Sequence, residues 1–277
     1  MIVRFRLRRL GICVILTGIV ILVAFPFYWM VASSLKSSVE LTALPPIWVP
    51  RHVVWSAYQR IFQVIPFGRA MFNSFVVSTV STLGILTTST LAGYTFAKFT
   101  FRGKHLIFMA VLATMMIPSF VTIVPLYYMM NSLNLVNTFG GLILPNLASG
   151  FGIFLMRQFA SGISNELIEA ARMDGASEWQ ILVHVVVPLL KPAIAALGVF
   201  AFVFQWNRFL WPLTIVHSSN MDTVTLALNG LRSFTTSVSF TNVVMAGAAI
   251  GMIPSIIIFF WLQRFLVQGI AMTGIKG

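Results

Sequence analysis

The sequence has few charged residues, and acidic residues are the rarest of them. Of its 277 residues only 9% are charged and six are Asp or Glu, whereas 58% are hydrophobic and the mean hydropathy is +0.92. So few charges cannot cover the water-facing surface of a soluble domain of this length. The composition therefore predicts an all-α polytopic membrane protein.

The sequence lacks the residues that several kinds of functional site require. Cys13 is the only cysteine, which excludes an intrachain disulfide and a cysteine-based metal site. No G-x-x-x-x-G-K-S/T phosphate-binding segment occurs, so we do not expect ATP hydrolysis by this chain. The four histidines have no metal-binding spacing and are typical of isolated surface or interface residues: His52, His105, His184 and His217. We expect no enzyme, no catalytic residue, no metal site and no cofactor bound by this chain.

Long apolar runs divide the chain into candidate membrane spans. A basic leader at residues 1–9 precedes an apolar run at residues 10–31, which is long enough for the roughly 20 residues of a spanning helix. A cleaved signal peptide is the alternative, but its apolar core would be about 7–15 residues and would end at a small-residue site. No such site is evident, which favours an uncleaved first span. Five further spans are predicted, at residues 72–96, two within the uncharged stretch 106–156, 193–216 and 243–262.

Prolines within the uncharged stretch 106–156 predict that its two helices are kinked. These residues are Pro118, Pro125 and Pro145. A proline inside a helix removes a backbone hydrogen bond and clashes with the preceding turn. The freed carbonyl groups must be satisfied by neighbouring helices or by a water-lined cavity.

The distribution of basic residues indicates which side of the membrane the termini occupy. Six spans place both termini on the same side of the membrane. The segments on that side contain twelve lysines and arginines: Arg4, Arg6, Arg8, Arg9, Lys98, Arg102, Lys104, Arg157, Arg172, Lys191, Arg264 and Lys276. The other side has five: Lys36, Arg51, Arg60, Arg69 and Arg232. Because cytoplasmic loops are enriched in Lys and Arg, we expect both termini to be cytoplasmic. The net charge of +12 is dispersed between apolar spans, which argues against a nucleic-acid partner.

A polar island at residues 164–192 holds four of the six acidic residues: Glu166, Glu169, Asp174 and Glu178. Ser164 is suited to cap a first helix, with Ile163 and Ile168 as a flanking hydrophobic staple, and Gly175 to end it in a left-handed conformation. Ser177 and Gln180 form a predicted capping box for a second helix. Two apolar stripes are expected at helical spacing, one of Leu167, Ile168 and Ala171 and one of Trp179, Leu182, Val183 and Val186.

One motif in this island has a specific spacing. Glu169-Ala170-Ala171, three residues, Gly175, nine residues and then Val185-x-Val187-Pro188 resemble the EAA loop of ABC-importer permeases, with valine at both of the family's Ile and Leu positions. An ordinary amphipathic connector is the alternative interpretation. Further strings resemble the maltose-permease-like second subunits of carbohydrate importers: Asn73-Ser74, Ala92-Gly93-Tyr94, Met116-Ile117-Pro118, Val124-Pro125-Leu126-Tyr127, Leu142-Ile143-Leu144-Pro145, Trp206-Asn207 and Lys276-Gly277.

The resemblance implies a type I ABC importer permease with six transmembrane helices, cytoplasmic termini and an EAA coupling helix between spans four and five. It also implies a location in a bacterial or archaeal inner membrane. It implies four kinds of neighbour: a second permease subunit, two copies of a cytoplasmic ABC ATPase that bind ATP and Mg²⁺, an extracytoplasmic solute-binding protein, and the lipid bilayer. The ATPase-coupling residues that it implies are Glu169, Ala170, Ala171, Asp174, Gly175 and Pro188. Tail residues Gly274, Lys276 and Gly277 would also contact the ATPases.

The same resemblance implies three parts of the chain and a class of cargo. Residues 1–68 form the first span and an outer loop, residues 69–269 the permease domain with its EAA loop at 164–192, and residues 270–277 a cytoplasmic tail. The implied cargo is a sugar or an oligosaccharide. Glycerol 3-phosphate or another small solute is the alternative, and no substrate-binding residue is assigned. A self-sufficient secondary transporter is disfavoured because no predicted span contains a carboxylate.

Arg208 is the one charged residue inside a predicted span. A charge at a helix centre costs about 3 kcal/mol on insertion scales, so Arg208 needs an explanation. It either faces the translocation path or a subunit interface, or it lies near the outer end of its helix and extends to water. Pro212 and the polar segment from His217 favour the second interpretation. The EAA family has an acidic residue at this place, so no family role is transferred to Arg208.

Overall fold

The computed structural model describes residues 2–234 and 240–273, and the side chains of residues 11–232 and 240–264. Regular secondary structure in these ranges is entirely helical, which confirms the all-α prediction. The α-helices are α1 (Ile2–Ser34), α2 (Ser38–Thr42), α3 (Ser56–Val64), α4 (Phe67–Lys98), α5 (Lys104–Met116), α6 (Ser119–Ser132), α7 (Phe139–Ile143), α8 (Gly150–Ser161), α9 (Asn165–Met173), α10 (Glu178–Ile181), α11 (Val187–Leu189), α12 (Lys191–Trp206), α13 (Leu210–Ile215), α14 (Val224–Phe234) and α15 (Thr241–Thr273). The tail residues Gly274, Lys276 and Gly277 lie outside the described residues.

Three helices are long and apolar enough to cross a membrane by themselves: Gly11–Ser34, Phe67–Lys98 and Thr241–Arg264. Three further candidates are pairs of helices joined at a sharp bend: Lys104–Met116 with Ser119–Ser132, Phe139–Asn146 with Gly150–Ser161, and Glu178–Leu189 with Lys191–Trp206. The described residues therefore provide between three and six candidate crossings by length and composition, and the six-span topology stays a prediction.

Two of the bends coincide with the prolines that the sequence singles out. Pro118 separates α5 from α6, whose axes differ by 103°. Pro145 lies in the 3₁₀ segment Leu144–Asn146 that precedes α8, at a bend of 41°. Pro125 lies inside α6 without interrupting it. A proline removes one amide donor and disfavours helical geometry in the residue before it, which accounts for the two breaks.

The chain forms two compact units, and the smaller contains Met1–Phe67 and Ala227–Met252. In this unit Ser37 and Glu40 form a reciprocal capping box at the start of α2. The second carboxylate oxygen of Glu40 accepts a hydrogen bond from the Arg51 amide at 2.9 Å. That bond favours the ionised form and lowers the pKa of Glu40 from its usual value. The Asn242 side chain donates to the Lys36 carbonyl at 3.1 Å, which joins the start of α15 to the segment between α1 and α2.

The larger unit contains Gly68–Leu226 and Ile253–Gly277. One buried apolar cluster joins five of its helices through residues that include Tyr94 of α4, Met156 of α8, Ile168 of α9, Ile181 of α10 and Leu197 of α12. The two short helices of the polar island therefore contribute side chains to the same core as three long helices. This core fixes the position of the island within the unit.

Glycine allows α4 to approach α8 closely within this unit. A Cβ atom added to Gly93 would lie 2.6 Å from the Met156 Cβ and 2.8 Å from the Arg157 backbone nitrogen. Both distances are far shorter than van der Waals contact, and one of the clashing atoms is backbone. Any larger residue at position 93 must push the two helices apart.

We predict that Gly93→Ala lowers the free energy of unfolding by about 1–3 kcal/mol, because overpacking forces a backbone shift. Gly18→Ala is the matched control, since a Cβ at Gly18 of α1 would meet no atom within 4 Å. Thermal unfolding of the two detergent-solubilised variants measures the effect. Equal melting temperatures would contradict the close packing of α4 on α8.

Candidate functional site

The first helix of the polar island is fixed at its start by two sets of hydrogen bonds. The Ser164 hydroxyl accepts a bond from the Glu166 amide at 3.2 Å, as the sequence predicts. The Lys98 ammonium group, at the end of α4, donates to the Ile163 carbonyl and to the Asn165 side-chain oxygen, the latter at 2.8 Å. Lys98 thus connects a long helix directly to the beginning of α9. Sequence reasoning missed this role because the positive-inside rule already explains a lysine after a span.

The end of α9 has the geometry of a Schellman motif. Gly175 has φ +82°, the left-handed conformation that the sequence predicts for it. Its amide donates to the Arg172 carbonyl at 3.0 Å, and the Ala176 amide donates to the Ala171 carbonyl at 3.0 Å. These bonds satisfy carbonyl groups that a helix end leaves unpaired. The chain therefore reverses over a defined turn.

The second helix of the island begins with the predicted capping box. The Ser177 amide donates to the Gln180 side chain at 2.8 Å, and the Gln180 amide donates to the Ser177 hydroxyl at 3.4 Å. An ion pair spans the turn, with the Arg172 guanidinium 2.6 Å from the Glu178 carboxylate. Its hydrogen bond raises the pKa of Arg172 from the usual value. Both side chains are exposed, so we expect the pair to orient the two helices more than to stabilise the fold.

One face of α9 is exposed in the described chain and is both acidic and apolar. We call this the exposed face of α9, and it consists of Glu166, Glu169, Ala170 and Met173, at helical positions i, i+3, i+4 and i+7. Met173 is 88% exposed. Exposed carboxylates beside exposed apolar side chains are suited to contact with another macromolecule.

The opposite face of α9 is narrower than the sequence predicts. Ile168 is buried to 3% exposure, and Ala171 packs against the same cluster. The prediction that Leu167 lies with them is wrong, because Leu167 is 51% exposed. Position 167 is one residue before Ile168, about 100° around the helix, and it falls outside the contact with α8 and α10.

The apolar stripe predicted for the second helix is also partly wrong. Leu182 and Val186 are buried, but Trp179 is 64% exposed and Val183 is exposed as well. Ile181 is fully buried in their place. Residues 181–183 and 185–187 are all apolar, so periodicity alone does not select one stripe. Residues Leu182–Val186 form a π-helical turn, which departs from the 3.6-residue period that the prediction assumes.

The six predicted coupling residues do not share one surface. Glu169, Ala170, Asp174 and Gly175 are exposed around the end of α9, whereas Ala171 is partly buried against the core. Pro188 is exposed but lies in α11, just before the 77° bend into α12. The structure thus brings four of the six together at one turn.

Arg208 lies two residues after the end of α12, and both interpretations of it stay predictions. Its guanidinium group donates to the Asn146 side-chain oxygen and, at 3.4 Å, to Gln205, and the residue is half-buried. Among the described residues it has no carboxylate partner. It also lines an open cavity of about 410 Å³ together with Ser119 and Asn207.

The sequence and the fold are both similar to known transport proteins. The family model described as "Binding-protein-dependent transport system inner membrane component" matches residues 82–272. The arabinooligosaccharides transport system permease protein AraQ of Bacillus subtilis (strain 168) is 32% identical, over 99% of this chain and 98% of its own length. The sn-glycerol-3-phosphate transport system permease protein UgpE of Yersinia pestis bv. Antiqua (strain Antiqua) is 34% identical, over 91% of this chain and 92% of its own length.

A solved structure has a similar fold. A chain of the bacterial ABC transporter that imports the acidic polysaccharide alginate superposes with a TM-score of 0.84, at 23% identity. The superposition covers 94% of this chain and 97% of that chain. At this identity the likeness concerns the fold.

We predict that Lys98→Met loosens the start of α9. Losing the bonds of a charged donor costs about 1.5–3 kcal/mol, so amide hydrogen exchange in residues 163–171 should become at least about tenfold faster. Lys191→Met is the matched control, since Lys191 is an exposed lysine in the same unit at the start of α12. Unchanged exchange in Lys98→Met, or equal acceleration in both variants, would contradict the anchoring role.

Proposed function

Because the chain belongs to the binding-protein-dependent transport system inner membrane component family, we propose that it is a permease subunit of an ATP-driven importer. The observation with the most weight is the extent of the similarity, since a relative from an oligosaccharide transport system matches 99% of the chain. The chain forms half of a translocation pathway, and a second permease subunit forms the other half. Six transmembrane helices with cytoplasmic termini are part of this proposal, and the excess of Lys and Arg on the terminus side supports them.

The exposed face of α9 is the coupling surface in this proposal. It contacts a cytoplasmic ABC ATPase, of which the complex contains two copies, each binding ATP and Mg²⁺. The geometry supports this role in two ways: the face is uncovered, and the helix that bears it is attached to the core through Ile168 and to α4 through Lys98. A helix attached in this way transmits displacement as a rigid body. Two arrangements of the membrane helices that differ by a few kcal/mol would then respond to closure of the ATPases.

The extracytoplasmic solute-binding protein docks on the opposite side of the membrane. The segment 217–242 is on that side in the proposed topology, and its first part is ordered by the body of the larger unit. The Asn73 side chain donates to the Asn220 and Asp222 carbonyls at 2.8 and 2.9 Å. Burial raises the pKa of Asp222 from its usual value. A structured loop at this place is suited to a protein contact.

A sugar or an oligosaccharide is the proposed cargo, and an anionic solute such as glycerol 3-phosphate is a second candidate. Relatives with both kinds of cargo in their names are about equally similar in sequence. The second candidate is favoured by Arg208, a cation without a carboxylate partner in the described chain that lines an open cavity of about 410 Å³. Aromatic walls from Phe204, Phe209 and Trp211 suit the apolar face of a sugar ring.

We predict that Glu169→Lys uncouples the importer. Reversing a charge that contacts a basic group of a partner costs about 2–5 kcal/mol, so ATP-dependent uptake in vesicles with the complete importer should fall at least about tenfold. Glu166→Lys makes the same charge reversal on this face but outside the EAA motif, so it should reduce uptake less than Glu169→Lys does. ATPase retained on affinity purification should fall in parallel for Glu169→Lys. Normal uptake by a well-expressed Glu169→Lys importer would count against coupling through this face.

Arg208→Gln distinguishes the two classes of cargo. For a neutral sugar we expect uptake within about threefold of the unmodified importer, because glutamine can still bond to Asn146. For an anionic cargo we expect a loss of at least about tenfold, since a buried charge-assisted pair contributes about 2–5 kcal/mol. The measurement is uptake of the solute that the cognate binding protein retains on purification. A tenfold loss with a neutral cargo would contradict this assignment.

A further inference from the structure

A cavity of about 580 Å³ lies where α5 begins beside α8, in the larger unit. Part of its wall is apolar and is formed by Phe101, Leu106 and Phe108. Its ionisable lining groups are all basic, and they are Lys104, His105 and Arg157. Within the described residues none of the three is paired with a carboxylate. Such a lining matches a ligand that has an anionic group and an apolar portion.

The Arg157 side chain packs over one aromatic ring, which belongs to a larger group of aromatic rings. Its guanidinium carbon lies 3.9 Å from the centre of the Phe108 ring, in a cation–π contact. The Phe108 ring is in turn 5.4 Å from the Phe96 ring, which lies 6.0 Å from the Phe101 ring. The Arg157 Nε is buried and has no hydrogen-bond partner among the described residues. Packing therefore places this cation beside the cavity, and no carboxylate of the described residues neutralises it.

The first turn of α5 supplies the remaining donors. Gly103, with φ +83°, turns the chain so that Lys104 and His105 follow at the helix start, where no side chain caps the helix. The Lys104 ammonium group donates to the Phe99 carbonyl at 2.8 Å and retains two further donors. The uncapped amides add a weak favourable field for an anion. The cavity and its three basic side chains are the basis of the site, and the helix start supplements them.

We propose that this cavity, which we call the α5–α8 basic cavity, binds the phosphate headgroup of an anionic phospholipid. The cavity lies at the end of a candidate crossing that starts at Lys104, the depth at which headgroups occur, and basic pockets between helices bind such headgroups. Leu106 is 75% exposed next to the basic groups, so an acyl chain has apolar surface to follow. A free phosphate ion would leave that surface uncovered. This proposal does not depend on the transport function.

Native mass spectrometry of the delipidated full-length protein tests the proposal, with phosphatidylglycerol and phosphatidylcholine of identical acyl chains as probes. We expect phosphatidylglycerol to bind at least about tenfold more tightly. Each basic residue near a headgroup contributes about fivefold in affinity, so Lys104→Gln/Arg157→Gln should weaken phosphatidylglycerol binding by about 25-fold. Lys191→Gln removes one exposed charge of the same unit away from the cavity, and its affinity should stay within about twofold.

The single variant Lys104→Gln keeps Arg157 on its aromatic support, so it tests the site without disturbing the packing of α8. It should lose about fivefold in affinity. Equal binding of the two lipids would overturn the proposal, and so would equal losses in Lys104→Gln and Lys191→Gln. Displacement of phosphatidylglycerol by millimolar inorganic phosphate would assign the cavity to a free anion and would overturn the lipid assignment.

Discussion

The position of the exposed face of α9 depends on one constraint, which is the burial of Ile168 in the apolar core of the larger unit. Ile168 belongs to α9, a helix of nine residues that would be marginal in isolation. Complete burial of one isoleucine contributes about 1.5–3 kcal/mol, and it joins α9 to side chains of α4, α8, α10 and α12. With one face of α9 held by that core, the opposite face has a fixed position and orientation. An acidic and apolar surface can then be presented to a partner without an entropic cost of ordering at each encounter.

The hydrogen bonds around α9 complement this apolar attachment. The start of the helix is bonded to α4 through Lys98, and its end passes through a left-handed glycine into a helix with a capping box of its own. The Arg172–Glu178 ion pair connects the two helices across that turn. Each of these contacts restricts a different degree of freedom of α9. Together they make the two-helix island a continuation of the membrane helices, which is what transmission of movement requires.

The sequence predicted the local features of the backbone well, namely helix caps, turns and helix breaks. The caps at Ser164 and Ser177, the left-handed Gly175 and the breaks at Pro118 and Pro145 depend on a few adjacent residues, so the chain alone specifies them. The face that each short helix buries depends on distant neighbours. Leu167 and Trp179 were therefore misassigned, because apolar residues occur on every side of these helices.

The sequence patterns did not predict the polar contacts between residues that are far apart in the chain. Lys98 meets Asn165 across 67 positions, Arg208 meets Asn146 across 62, and no local spacing signals either pair. Arg157 was explained as a topological charge, although its position over the Phe108 ring gives it a defined environment. In a chain with six carboxylates, basic residues find carbonyl groups, amides and aromatic rings in place of ion-pair partners. The positions of the basic residues along the sequence therefore do not predict which groups they contact.

The measurement that most directly tests the account is site-specific photo-crosslinking in the intact membrane complex, with a photoreactive residue at position 170. Ala170 is exposed on the exposed face of α9, and Leu22 of α1, which is exposed in an apolar candidate span, provides the control position. The account predicts an efficient crosslink from position 170 to the ATPase subunit and none from position 22. Crosslinking from position 170 to lipid alone, or to no polypeptide, would contradict the central claim that this face is where the ATPase docks.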